Sequence, residues 1–140
     1  TEIPGWLRTL RIYDMGQNFS GRIRIRVKAH KGCVIRFRYA EILNPDGTLY
    51  TENLRSARST DYYTCGGDGE ETWEPRFTFH GFRYVEADVA EIREGGSLEV
   101  TGLVLHSDMA VTGRFACSNE LLNQLQHNIF WGQKGNFLDI

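Results

Sequence analysis

The sequence is short of the signals that define several large protein classes. No apolar run approaches the roughly 20 residues needed to span a bilayer as a helix, so no membrane partner is expected. The chain starts Thr1-Glu2-Ile3-Pro4, without an initiator Met, a basic leader or an apolar signal core. That start suggests an excised or mature piece and leaves the compartment unknown, with cytoplasm favoured over export. Cysteines are three and widely spaced, Cys33, Cys65 and Cys117, which makes a poor disulfide framework; they read as separate thiols in or near the core. CxxC, HExxH and Cys/His clusters are absent, so no metal site is expected. Net charge is only -2, which gives no bulk attraction to nucleic acid or anionic lipid. Repeats and low-complexity tracts are also missing.

What remains is an ordinary globular composition over 140 residues, 41% hydrophobic and 24% charged, enough for one domain with its own core. The dominant pattern has period two. Ile23, Ile25 and Val27 alternate with Arg22, Arg24, Arg26 and Lys28, so one face is apolar and the other cationic. After a turn at His30-Lys31-Gly32, Cys33, Ile35, Phe37 and Tyr39 alternate with Arg36 and Arg38. These two segments predict an antiparallel hairpin with one buried face. Its outer arginines are expected to be solvated or salt-bridged rather than bound to nucleic acid.

Asn44-Pro45-Asp46-Gly47 is a turn, because proline fixes φ and glycine accepts positive φ. Residues 48–59 are polar without clean periodicity and read as a long functional or interface loop. Further strands are predicted at Thr60–Cys65, Phe82–Ala87, Leu98–His106 and Thr112–Ala116, with turns at Gly66-Gly67-Asp68-Gly69 and Gly95-Gly96. Many short strands with frequent turns give the expected fold: mainly β, an antiparallel jelly-roll-like β-sandwich over residues 1–117.

The last segment changes period. Ser118 can cap a helix, Glu120 suits its first turn, and Leu121, Leu122, Leu125 and Ile129 share one face. Gly132 and Gly135 are candidate stops. Phe130, Trp131, Phe137, Leu138 and Ile140 add apolar surface where chain ends are usually polar. Residues 118–140 are therefore expected to be a helix and the start of a linker into a further helical domain, with Leu121, Leu125, Ile129, Trp131 and Phe137 as interdomain contacts.

No residue stands out as catalytic. Glu70, Glu71, Glu74, Glu86, Asp88 and Glu91 read as solvated strand and turn charges, since nothing sets two of them face to face. His80, between Phe79 and Gly81, reads as a satisfied packing histidine rather than a general base. His106-Ser107-Asp108 is no triad, because neighbours on a strand point to opposite faces. The aromatics Tyr62, Tyr63, Trp73, Phe77, Phe79, Phe82 and Tyr84 are expected mainly in the core, with sugar stacking as the alternative.

Several strings together resemble the concanavalin-like domain of bacterial α-L-rhamnosidases, glycoside hydrolase family 78. They are Tyr13-Asp14-Met15-Gly16-Gln17-Asn18-Phe19-Ser20-Gly21, Arg38-Tyr39-Ala40-Glu41, Asp46-Gly47-Thr48-Leu49-Tyr50 with Thr51-Glu52-Asn53-Leu54-Arg55, and Val104-Leu105-His106-Ser107-Asp108, then the helix entry from Phe115 to Asn123. The most specific is Trp73-Glu74-Pro75-Arg76-Phe77-Thr78-Phe79-His80-Gly81-Phe82-Arg83-Tyr84-Val85. The resemblance implies a non-catalytic β domain that precedes an (α/α)6 barrel and packs against it as its partner. Asn136-Phe137-Leu138-Asp139-Ile140 resembles the approach to the family's acidic motif, so the general acid and base are expected beyond residue 140. The implied parent reaction is inverting hydrolysis of terminal α-L-rhamnosides, without an organic cofactor. Glu52, Asn53 and Arg55 are the candidates for a substrate rim, with interface salt bridges as the favoured alternative, since loop charges often serve domain contacts. A rhamnoside is the second expected partner, which would make the chain a carbohydrate-binding module.

Overall fold

The computed structural model describes residues 9–67, 69–89 and 95–138. Six strands and one helix make up its regular structure: β1 (Thr9–Lys28), β2 (Val34–Ala40), β3 (Thr60–Thr64), β4 (Glu70–Trp73), β5 (His80–Val89), β6 (Ser97–Val104) and α1 (Glu120–Asn136). All pairings between strands are antiparallel. The fold is mainly antiparallel β with one C-terminal helix, as its period-two and period-3.6 segments predict.

β1 organises everything. Its first half, Thr9 to Asp14, pairs with β5, which continues through β2 to β3. Its second half, Gly21 to Lys28, pairs with β6 on one edge, while β4 takes Ile25 to Lys28 on the other. Between the halves the register slips, because Met15 to Asn18 have only Arg83 to oppose them. Such a bulge bends a strand and raises its twist. Asp14 stabilises the bend by accepting from Gly16 N at 2.7 Å, and Gly16 takes φ 78°. Hydrogen bonding is thus continuous through β1, and the two layers share a strand instead of forming separate sheets.

The core lies between these layers. Ile23, Ile25 and Val27 of β1 meet Ile35, Phe37 and Tyr39 of β2 and Phe82, Val85, Ala87 and Val89 of β5. Trp73 of β4 closes the stack against Phe37 and Tyr63, with ring centroids 6.4 and 5.1 Å away. Burying a side chain of this size contributes about 1.5–3 kcal/mol.

The predicted β1–β2 hairpin does not form; among the described residues β2 pairs with β3 and β5 only. Alternation correctly identified the buried faces, but a period says nothing about the neighbour. The two arginine rows consequently lie apart. Arg22 and Arg24 bond Glu74 at 3.2 and 3.1 Å, and Arg26 reaches Glu70 at 2.8 Å. Arg36 meets Asp88 at 2.8 Å and Arg38 meets Glu86 at 3.4 Å on the other layer. Residues 112–116 are not a strand. The helix is capped by Asn119 rather than Ser118, accepting from Leu121 N at 3.0 Å and Leu122 N at 3.4 Å. Gly132 and Gly135 lie inside α1 rather than ending it. There Ser20 Oγ donates to Gly135 O at 2.9 Å, a tertiary tie that outweighs glycine's weak helix propensity. Cys33 and Cys65 are buried side by side, whereas Cys117 is exposed and not part of the core.

Candidate functional site

The long loop returns to the sheet through one polar cluster. Asp61 of β3 accepts from Tyr39 Oη at 2.7 Å and lies 3.0 Å from His80 Nε2, with Thr78 Oγ1 donating at 3.4 Å. His80 Nδ1 is 3.2 Å from Ser59 Oγ, and its ring stacks on Tyr39 at 4.1 Å. Ser59 also accepts from Tyr39 N at 3.2 Å through its backbone carbonyl. Burial alone would raise the Asp61 pKa, but the hydrogen bonds from His80, Tyr39 and Thr78 outweigh it and hold the carboxyl low. Burial, with the Asp61 charge behind it, pushes the Tyr39 phenol up. Every polar atom of the His80 ring has a partner, which is the satisfied packing histidine expected for it. The Ser59–His80–Asp61 grouping was not readable as a unit, because only the fold brings 59, 61 and 80 together.

The three rim candidates, Glu52, Asn53 and Arg55, are all exposed on and just after a single 3-10 turn, Glu52–Leu54. They do not converge. Asn53 Nδ2 donates to Glu41 Oε2 at 3.2 Å, and Asn18 Nδ2 donates to Glu41 Oε1 at 3.0 Å. Glu41 and Asn18 line a cleft of about 390 Å3 whose far wall is Asn128, Trp131 and Asn136 of α1. Arg55 instead joins Arg36, Arg38, Arg58 and Tyr62 around a second cleft, of about 480 Å3.

The helix divides the five interdomain candidates. Leu121, Leu125 and Ile129 are 80%, 53% and 54% exposed, and Leu122 beside them is exposed too. Trp131 turns the other way and packs against the β core. Phe137 is half-buried, and its carbonyl accepts from Ser107 N at 2.6 Å. Asp139 and Ile140 lie outside the described residues.

The described carboxylates singled out earlier are all paired, and Glu86 and Asp88, expected as solvated charges, are instead buried because arginines of the neighbouring strand neutralise them. Glu70 and Glu74 answer the β1 arginines. Glu71 accepts from Tyr63 Oη at 2.6 Å and from Gly66 N and Gly67 N at 2.9 Å each, so it is held low while Tyr63 is pushed up to about 12. Glu86 and Asp88 are buried against Arg36 and Arg38. Glu91 lies outside the described residues, as does Asp68 of the Gly-rich turn. Of the aromatics, Trp73, Tyr63 and Phe82 pack inward, but Phe77 is 97% exposed and Phe79 is half-exposed. Their segment loops out because β4 and β5 bond successive parts of the same β1 edge. Among the described residues no group of three His, Cys, Asp or Glu could hold a metal ion, and no helix is long and apolar enough to cross a membrane.

The family model for the bacterial alpha-L-rhamnosidase concanavalin-like domain matches residues 8–106. The chain belongs to the bacterial α-L-rhamnosidase family. A second model, for the bacterial alpha-L-rhamnosidase 6 hairpin glycosidase domain, matches residues 110–140, which include all of α1. An α-L-rhamnosidase of Streptomyces avermitilis is 52% identical over 129 residues, covering 92% of this chain and 12% of that protein. One from Formosa agariphila is 48% identical over 130 residues, covering 92% and 14%. The crystal structure of the Streptomyces avermitilis α-L-rhamnosidase complexed with L-rhamnose superposes with a TM-score of 0.86 at 51% identity, over 94% of this chain and 13% of that one. The α-L-rhamnosidase of Dictyoglumus thermophilum gives 0.83 at 43%, over 94% and 15%. This rhamnosidase-family chain thus spans about an eighth of the length of the relatives it matches. The exposed leucines of α1, Leu121, Leu122 and Leu125, fall in the part matched by the glycosidase-domain model, and the buried core falls in the part matched by the concanavalin-like one.

Proposed function

We propose that this chain serves within a longer α-L-rhamnosidase as a non-catalytic β-sandwich, residues 1–117, joined at 118–140 to the beginning of the catalytic (α/α)6 domain. The observation that carries the reading is the bare apolar stripe of α1: Leu121, Leu125 and Ile129 sit at helical spacing and face water. A patch of that kind on a helix marks an interface. The relatives' length and the glycosidase-domain match over 110–140 support the catalytic domain as what covers it. The parent reaction would be inverting hydrolysis of terminal α-L-rhamnosides, with one carboxylic acid protonating the leaving oxygen and one carboxylate activating water from the opposite face. Glu70, Glu71, Glu74, Glu86 and Asp88 are committed to arginine, tyrosine and backbone partners, which suits a supporting role. Glu52, Asn53 and Arg55 stand on the loop that would reach the pocket rim.

The test is an assay of the chain alone with an aryl α-L-rhamnoside. No cleavage is expected, and turnover that survives purification would defeat the reading. In the longer enzyme, Leu125→Glu should lower Tm and activity together.

A second reading, a module that binds rhamnosides, is favoured by the polar cleft between Glu41 and Trp131, where an indole lies near amide and carboxylate groups. Trp73 offers no platform for it, being stacked on Phe37 and Tyr63. Calorimetric titration with L-rhamnose separates the two; heat lost in Trp131→Ala would favour the module.

A further inference from the structure

Two residues other than glycine take left-handed backbone among the described residues, Arg55 (φ 53°) and Ser59 (φ 42°), and both lie in the same loop. Strain of this kind persists only where the surroundings impose it, and it gathers where a chain must present a group in a set direction. At Ser59 the imposing contacts are the bonds from Tyr39 N to Ser59 O and between Ser59 Oγ and His80, and at Arg55 the bond from Arg55 N to Glu52 O that closes the 3-10 turn. What the held loop presents is positive charge. Arg55 and Arg58 form one wall of the 480 Å3 cleft, and Arg36 and Arg38 of β2 contribute from the sheet face.

The charges there are not balanced. Arg36 and Arg38 are answered by Asp88 and Glu86. Arg55 and Arg58 meet no carboxylate among the described residues, and none of the lining residues is acidic. Four guanidiniums against two carboxylates leave an excess of two positive charges in one concavity. Arg11, Arg76 and Arg114 also meet no carboxylate among the described residues, but they stand on separate segments. Beside the arginines the Tyr62 ring of β3 is 63% exposed, and the hydroxyl-bearing residues Thr51 and Thr60 line the same cleft.

We infer that this cleft binds a saccharide carrying a carboxylate or sulfate group. A guanidinium fork matches either anion with two parallel hydrogen bonds. An exposed tyrosine ring offers a flat apolar face to the C–H side of a pyranose, which an anion alone would not use. The volume falls within the range of small-ligand sites, about 300–1,000 Å3. The cleft shares no lining residue with α1 or with the Glu41–Trp131 cleft; it shares only Arg55 with the rim candidates of the rhamnosidase reading, and saccharide binding by the isolated chain is read without any turnover.

The experiment is calorimetry and amide NMR on the 140-residue chain, with an oligogalacturonate, a sulfated disaccharide, a neutral oligosaccharide of matched length and a poly-glutamate peptide. One or both anionic saccharides should bind, shifting resonances of Arg55, Arg58 and Tyr62. The neutral one should not. Binding should weaken about tenfold or more between low salt and about 0.5 M salt, because exposed charges are screened. The double variant R55Q/R58Q should lose at least about tenfold in affinity, equivalent to about 1.4 kcal/mol, with unchanged Tm, while Arg76→Gln should change nothing. Y62A should weaken the saccharides more than free sulfate. No binding of either anionic saccharide overturns the inference. So does equal binding of the neutral sugar, or poly-glutamate binding as tightly as the acidic sugars, which would make the cleft a contact for an acidic protein segment.

Discussion

Replacing Asp61 with alanine should cost this small domain a large share of its stability. Asp61 holds Tyr39 Oη at 2.7 Å and His80 Nε2 at 3.0 Å, and its side chain is only 10% exposed. Solvent therefore screens these bonds little. A hydrogen bond to a charged acceptor is worth about 1.5–3 kcal/mol, and a buried donor left without its acceptor costs about 1–3 kcal/mol. Tyr39 is one of the most deeply buried side chains, so water cannot replace the lost carboxylate at its ring. Asp61→Ala should destabilise by about 3 kcal/mol, which for a chain of this size lowers Tm by roughly 8–15 °C. Tyr39→Phe removes one bond and keeps the ring, and should cost about 1 kcal/mol. The double variant should fall short of the sum by about 1 kcal/mol, since both changes break the same bond. Urea denaturation followed by near-ultraviolet dichroism reads all three, with m unchanged. The pH dependence has a definite sign. Because the folded carboxyl is held low, its contribution is complete above the unfolded value of about 3.8 and is lost as pH falls through the folded one. Asp61→Ala should flatten that acid limb. Additive single variants, or an Asp61→Ala cost under about 0.5 kcal/mol, would refute the cluster as the anchor of the loop.

Three further outcomes follow from burial. Phe37→Ala empties a fully buried site stacked under Trp73 and should cost about 3–5 kcal/mol by chemical denaturation. Leu125→Glu should leave the chain's own stability within about 0.5 kcal/mol, because the side chain already faces water, while reducing binding of a hydrophobic dye. Titration with an aromatic disulfide reagent should find one fast thiol, Cys117, in the native chain. Cys33 and Cys65 should react only on unfolding, since burial, then Cys33 and Glu71 nearby, pushes the Cys65 thiol up to about 11.

Local pattern and tertiary choice separate cleanly in this chain. Alternation along Ile23–Val27 and Ile35–Tyr39 named the buried faces correctly, because side-chain direction in a strand depends only on the strand. It named the wrong partner, because β5 arrives from more than forty residues away to lie between β1 and β2. β4 was invisible for a similar reason: four residues, Glu70 to Trp73, become a strand only because the end of β1 offers them an unpaired edge. The helix was legible down to its apolar stripe, but its ends were not. Asn119 and Ser118 are both good caps, and Gly135 stays helical because Ser20 holds its carbonyl.

The same distinction governs the two surfaces proposed to carry function. The stripe of Leu121, Leu125 and Ile129 belongs to one element, so its period already declares that something should cover it. The arginine cleft belongs to none: Arg36 and Arg38 come from β2, Tyr62 from β3, and Arg55 and Arg58 from a loop bent into place by Tyr39, Asp61 and His80. In sequence these arginines look like a solvated strand face and loop charges. For Arg36 and Arg38 the salt-bridged alternative holds, because buried Glu86 and Asp88 pair with them. For Arg55 and Arg58 nothing on β5 reaches them, so the fold that satisfies one half of the cluster leaves the other half facing an open cleft. A ligand that suits this surface must therefore bring negative charge to the loop wall while leaving the β2–β5 ion pairs intact.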